Sequence, residues 1–155
     1  MLFVFGVSHK TAPLAEREAL AFPRDTLTET LVRLRSEVGL QEAMILSTCN
    51  RVEIYARADQ DGAPDAVASF VSAFHQRSPA DLARLTYCLT EADAVRHAFR
   101  VASSLDSMVV GEPQILTQVR QARRTSEDEG ATTPLPRRSV LGRWRDRHVP
   151  AKGSS

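Results

Sequence analysis

Short apolar runs and helically spaced apolar stripes alternate along this chain. Residues 2–7, Leu-Phe-Val-Phe-Gly-Val, are continuously apolar and end at Ser8, which is the length and character of a buried strand. Residues 8–13, Ser-His-Lys-Thr-Ala-Pro, read as a loop. Pro13 suits the first turn of a short helix through Phe22, because a first turn leaves its N–H groups unpaired in any case. Pro23 stops that helix, and Asp25 or Thr26 can cap the next one. There Leu27, Leu31, Leu34 and Val38 recur at helical spacing until Gly39, a natural C-terminal stop. Residues 43–47 and 52–58 predict two more strands, the latter with Val52, Ile54 and Ala56 turned inward, so 48–51 must connect them. After the loop Asp61-Gly62-Ala63-Pro64, residues 65–76 predict a helix with Val67, Phe70, Val71 and Phe74 on one side. A fourth strand is expected over 85–89. Thr90 then caps a helix to about Ser103, with Val95, Phe99 and Ala102 as its apolar stripe.

The order is β-α-α-β-β-α-β-α. With one extra helix set aside, it is the split βαββαβ, ferredoxin-like arrangement: an α+β fold whose antiparallel sheet carries its helices on one face. A further helix is expected from Pro113, with Ile115, Leu116 and Val119 apolar, to about Glu129 and the stop at Gly130. The chain thus divides into a domain over 1–110, the start of a long connecting helix over 111–130, and a tail over 131–155. Pro134 and Pro136 break any helix in the tail, which has few apolar residues beyond Arg137 and is expected to be largely disordered.

Composition narrows the class without naming a function. Apolar residues make up 43% and charged residues 25% of 155, which suits a globular protein, and a net charge of +1 gives no global signal for nucleic acid. Only the stretch 137–152 is markedly basic, with Asp146 its lone acid. No apolar run approaches the roughly 20 residues of a membrane helix, and the N-terminal run lacks a basic leader. The two cysteines, Cys49 and Cys88, form no CxxC and have no metal-ligand cluster around them. A cytoplasmic, reducing location is therefore the default, in which a Cys49–Cys88 disulfide is not expected.

Cys88, between Tyr87 and Leu89, fits a small buried hydrophobe. Cys49 fits that description poorly, since Thr48, Asn50 and Arg51 surround it in an inter-strand connection. A thiolate is the reactive form of cysteine and a nearby cation favours it; Arg51, His9 or His97 are the candidates. On an alternating strand, Arg51, Glu53 and Tyr55 share the face opposite Val52 and Ile54. Arg51 can hold a carboxylate through two parallel hydrogen bonds, or the three can form a solvated strand face with an Arg–Glu pair. Ser107, Glu112, Gln114 and Gln118 can form a polar wall that holds an amino acid, or simply a capping acid and two exposed glutamines. His97, two positions from Val95, points away from the expected stripe and reads as a surface histidine.

Three segments together resemble the glutamyl-tRNA reductase family. They are Gly6-Val7-Ser8-His9-Lys10-Thr11-Ala12-Pro13 with Arg17-Glu18, Ser47-Thr48-Cys49-Asn50-Arg51-Val52-Glu53-Ile54-Tyr55, and Ser107 with Gly111-Glu112-Pro113-Gln114-Ile115-Leu116 and Gln118-Val119. The resemblance covers roughly residues 1–122. It implies reduction of glutamyl-tRNA to glutamate-1-semialdehyde with NADPH, the first step of tetrapyrrole synthesis, with Cys49 attacking the glutamyl ester to form a thioester. It implies that Thr48, Asn50 and Arg51 line the substrate pocket, with Ser107, Glu112, Pro113, Gln114 and Gln118 completing it, and that His97 occupies the place of a histidine important for activity. It also implies a homodimer and separate nucleotide-binding and dimerisation domains, which these residues do not match; no Gly-x-Gly-x-x-Gly run follows a strand. Thr117 and Ser104 stand where the family commonly has glycine. The expectation is a catalytic, glutamyl-tRNA-binding domain; the alternatives are a non-catalytic glutamyl-tRNA-binding module and an inactive fragment.

Overall fold

The structure is a computed structural model that describes residues 1–103. The expected helix from Pro113 and the tail lie outside the described residues, as do Ser107, Glu112, Pro113, Gln114 and Gln118. The elements are β1 (Leu2–Ser8), α1 (Leu14–Ala19), a 3-10 turn (Arg24–Thr26), α2 (Leu27–Val38), β2 (Glu42–Ser47), β3 (Arg51–Arg57), α3 (Ala63–Phe74), α4 (Pro79–Leu85), β4 (Tyr87–Thr90) and α5 (Glu91–Ala102). Gly39 ends α2 at φ 78°, a left-handed conformation that glycine adopts without steric cost. The sequence did not predict α4. Its start signal is nonetheless present: the Ser78 hydroxyl accepts the Asp81 N–H at 3.2 Å and Pro79 opens the first turn. Only Leu82 of α4 is buried, so the helix has no apolar periodicity to detect.

The four strands form one sheet in the order β2-β3-β1-β4, and every neighbouring pair is antiparallel. β1 and β2 are therefore parallel with β3 inserted between them, which is the split βαββαβ topology of the α+β class. Phe3, Phe5, Val7, Ile45, Val52 and Ile54 meet Leu31, Leu34, Val67, Phe70, Val71 and Leu82 from the crossover helices on one face. Val4, Met44, Leu46 and Tyr55 meet Ala94, Val101 and Ala102 of α5 on the other. The expectation of helices on one face thus holds for the crossover helices, while α5, which follows β4, packs on the opposite face. This second layer explains why β1 is apolar throughout: a strand covered on both faces has no polar side to alternate with.

The α5 stripe differs from the expected one by a rotation. Ala94, His97, Val101 and Ala102 are buried, while Val95 and Phe99 are half-buried. A histidine lies on the buried stripe because its partner, Glu53, is buried beneath the helix. Thr90 stands at the N-cap position without a side-chain capping bond.

Gly6 pairs with Glu53 on one side and with Tyr87 on the other. A Cβ there would lie 2.2 Å from the Val52 carbonyl oxygen and 3.0 Å from the Glu53 Cγ. The missing side chain thus clears the crossing between β3 and β4 over β1. Because the nearest obstacle is backbone, Gly6→Ala is expected to destabilise the domain by about 3 kcal/mol, seen as a lower urea midpoint at unchanged m-value.

Candidate active site

Cys49 sits in the tight connection between β2 and β3. The Thr48 N–H donates to the Arg51 carbonyl at 2.8 Å and closes the turn. The Thr48 hydroxyl accepts the Asn50 N–H at 3.1 Å and the Arg51 N–H at 3.2 Å, the local bonding by which Ser and Thr hydroxyls order turns. The loop after β1 lies against this turn. The His9 N–H donates to the Asn50 carbonyl at 3.0 Å, so His9 reaches the site as expected, through its backbone. Cys49 itself is exposed, and its thiol donates toward the Asn50 Oδ1 at 3.8 Å. Cys88 is exposed as well, contrary to the buried-hydrophobe expectation, because β4 is an edge strand and Cys88 alternates away from the half-buried Tyr87 and Leu89.

Arg17 was quoted only within the first segment of resemblance, and the structure gives it a definite place. Its guanidinium is buried, with Nε donating to the Cys49 carbonyl at 3.0 Å and Nη1 to the Ala12 carbonyl at 2.7 Å. Arg17 bridges the loop after β1 and the cysteine turn. No sequence pattern announces these two bonds, since each acceptor is a main-chain carbonyl.

Arg51, Glu53 and Tyr55 share one face of β3 as expected, but that face is buried rather than solvated. Arg51 and Glu53 are both 0% exposed, with Nη1 and Oε1 3.0 Å apart. The Glu53 Oε1 also accepts from the Tyr87 hydroxyl and from His97 Nε2, the latter at 2.5 Å, and Oε2 accepts from the Tyr55 hydroxyl at 2.5 Å. His97 is therefore buried against a carboxylate, not a surface histidine; hydropathy alone cannot foresee a polar side chain whose partner is also buried. Tyr87 was read only as part of an apolar strand. The signal for it was Gly6, since glycine inside a strand marks a close approach.

Burial alone would push the Glu53 carboxyl up, but the His97 hydrogen bond and the charges of His97 and Arg51 outweigh it and hold the group below the usual carboxylate range. Burial pushes Tyr55 and Tyr87 well up, reinforced by the Glu53 charge, so both hydroxyls stay protonated and remain donors. Burial opposes the charge on Arg51, yet Glu53, Tyr87 and Tyr55 together outweigh it and raise the group.

A buried acid held below its ordinary value stabilises the fold above that value, about 4.3 for Glu, and the contribution is lost as pH falls through the lowered value. Glu53→Gln is accordingly expected to cost about 3–5 kcal/mol at neutral pH. It should also flatten the acid limb of the stability–pH curve, measured by urea unfolding from pH 7 to pH 3.

A β2–β3 turn with an exposed thiol, on a split βαββαβ sheet and beside a buried Arg–Glu–His–Tyr network, defines the class: an α+β domain that presents a free cysteine from a hydrogen-bonded turn. A sequence model of the family described as "Glutamyl-tRNAGlu reductase, N-terminal domain" matches residues 5–140, and the chain belongs to this family. It is 45% identical over 131 residues to "Glutamyl-tRNA reductase" of Marinobacter nauticus, a match that covers 84% of this chain and 30% of that protein. It is 46% identical over 135 residues to the protein of the same name from Rubrobacter xylanophilus, covering 87% and 32%. Among solved structures, "Glutamyl-tRNA Reductase from Methanopyrus kandleri" is similar with a TM-score of 0.68 and 33% identity, covering 86% of this chain and 30% of that one. The chain spans about 30% of the length of these relatives. Among the described residues no helix is long and apolar enough to cross a membrane, and no group of three or more His, Cys, Asp or Glu could hold a metal ion.

Proposed function

We propose that this chain is the part of a cytoplasmic glutamyl-tRNA reductase that takes glutamate from its tRNA ester. The observation that carries this reading is the exposed Cys49 in a turn whose backbone is held from three sides: by Thr48, His9 and Arg17. The Cys49 thiolate attacks the ester carbonyl carbon. The new S–C bond forms, the C–O bond to the ribose breaks, and the ribose oxygen leaves and takes a proton to become the free hydroxyl. Thr48 and Asn50 border the thiol, and Arg51 begins β3 beside it, where a substrate carboxylate would be bound. His97, which this reading takes as the second catalytic group, is held through Nε2 by Glu53. The resemblance assigns Ser107, Glu112, Pro113, Gln114 and Gln118 to the same substrate, and they lie outside the described residues.

Reduction of the thioester to glutamate-1-semialdehyde, the step that commits glutamate to tetrapyrrole synthesis, uses NADPH in this reading, and the whole protein works as a homodimer. The described residues do not fit a dinucleotide. Their sheet is antiparallel, and Gly6, Gly39 and Gly62 stand singly rather than in a phosphate-cradling run before a helix. No step through NADPH is derived from them.

A polypeptide of these 155 residues, incubated with glutamyl-tRNA and NADPH, is expected to release the tRNA and free glutamate by hydrolysis of the thioester, with no semialdehyde. Cys49→Ser should abolish the release and leave tRNA binding intact. Semialdehyde formed by this polypeptide would overturn the division of labour. Wild-type protein that binds glutamyl-tRNA but releases nothing would make it a binding module instead.

A further inference from the structure

The two peptide units that follow Cys49 are each pinned at both ends. In the first, the Cys49 carbonyl accepts Arg17 Nε at 3.0 Å and the Asn50 N–H donates to the Thr48 hydroxyl at 3.1 Å. In the second, the Asn50 carbonyl accepts the His9 N–H at 3.0 Å and the Arg51 N–H donates to the same Thr48 hydroxyl at 3.2 Å. Three of these four bonds are made by the turn itself or by the loop that follows β1. The fourth comes from a side chain 32 positions away, on the short helix α1. Arg17 is 6% exposed, and its second nitrogen is fixed on the Ala12 carbonyl. A nucleophile that must meet a carbonyl carbon in one orientation gains from a turn held in this way.

We infer that Arg17 is a positioning residue for Cys49: by holding the Cys49 carbonyl it fixes the peptide plane beyond the thiol and the direction in which Sγ is presented. The planar fork suits this task, since Nε and Nη1 reach two carbonyls on different segments at once, which the single ammonium of lysine cannot reproduce.

The inference rests on the ester-cleavage reading for its catalytic consequence, and two measurements separate them. Arg17→Gln and Arg17→Lys are compared with wild type for glutamyl-tRNA cleavage and for backbone amide exchange by NMR. Both variants are expected to keep KM and to lose kcat by about tenfold to a hundredfold. Asn50 and Arg51 should lose exchange protection while Phe5 and Ile54, in the strands, keep theirs. Low concentrations of guanidinium should restore part of the kcat of Arg17→Ala. Wild-type protein that cleaves no ester refutes the proposed function. Unchanged turn protection or unchanged kcat in Arg17→Gln refutes the positioning role, and so does a loss of protection spread equally over β1 and β3, which marks Arg17 as a purely structural residue.

Discussion

One buried carboxylate organises the face of this sheet that α5 covers. Glu53 is fully buried and its neighbours favour the charged carboxylate, a state that is costly unless its acceptor positions are filled. The filling comes from three elements: Arg51 and Tyr55 from β3 itself, Tyr87 from the edge strand β4, and His97 from α5. Three of these donors converge on Oε1 and one on Oε2. Each requirement constrains a different piece of the fold. Tyr87 can reach Glu53 only across β1, so β1 must carry glycine at position 6. His97 can reach it only from the face opposite the crossover helices, so α5 must turn beneath the sheet rather than join the other helices above it.

The same requirement explains what the sequence concealed. Elements built on apolar periodicity were legible: β1, α2 with its Gly39 stop, β2, β3 and α3 lie within about two residues of their expected bounds. The antiparallel split βαββαβ order followed from them. The alternation of Arg51, Glu53 and Tyr55 was legible too, but not their burial, since charged residues on one strand face ordinarily signal solvent. The α5 stripe was misassigned for the same reason. Scoring His97 as polar turned the helix so that Val95 and Phe99 faced inward, whereas the partner that draws His97 inward is 44 positions away. Helix α4 was missed because a helix with a single buried residue carries no period.

The exposed thiol and the buried network are joined through Arg51. Its backbone belongs to the cysteine turn, where its N–H and carbonyl both bond to Thr48. Its side chain belongs to the network, where it meets Glu53. A residue fixed at both ends in this way cannot shift its main chain without disturbing the carboxylate, and the carboxylate cannot shift without disturbing its other three donors. The orientation of the turn is thereby referred back to the packing of α5 and β4. Arg17 makes the second such reference, from α1 on the opposite side of the fold.

These two anchors resolve a conflict in the requirements of the site. A thiol that is to receive a bulky ester, as proposed for Cys49, has to be exposed, and exposed turns are ordinarily the least rigid parts of a domain. Here the thiol is exposed while the groups that hold its backbone are buried: Arg17 on one side and the Arg51–Glu53 pair on the other. The rigidity is supplied from beneath, by charges that water cannot screen, and the surface is left open to substrate. A short-range account of Cys49 that considered only Thr48, Asn50 and Arg51 as neighbours would find a reactive residue in a polar turn. The longer-range contacts explain how the backbone beneath an exposed thiol can be held in place, as the proposed thioester formation would require.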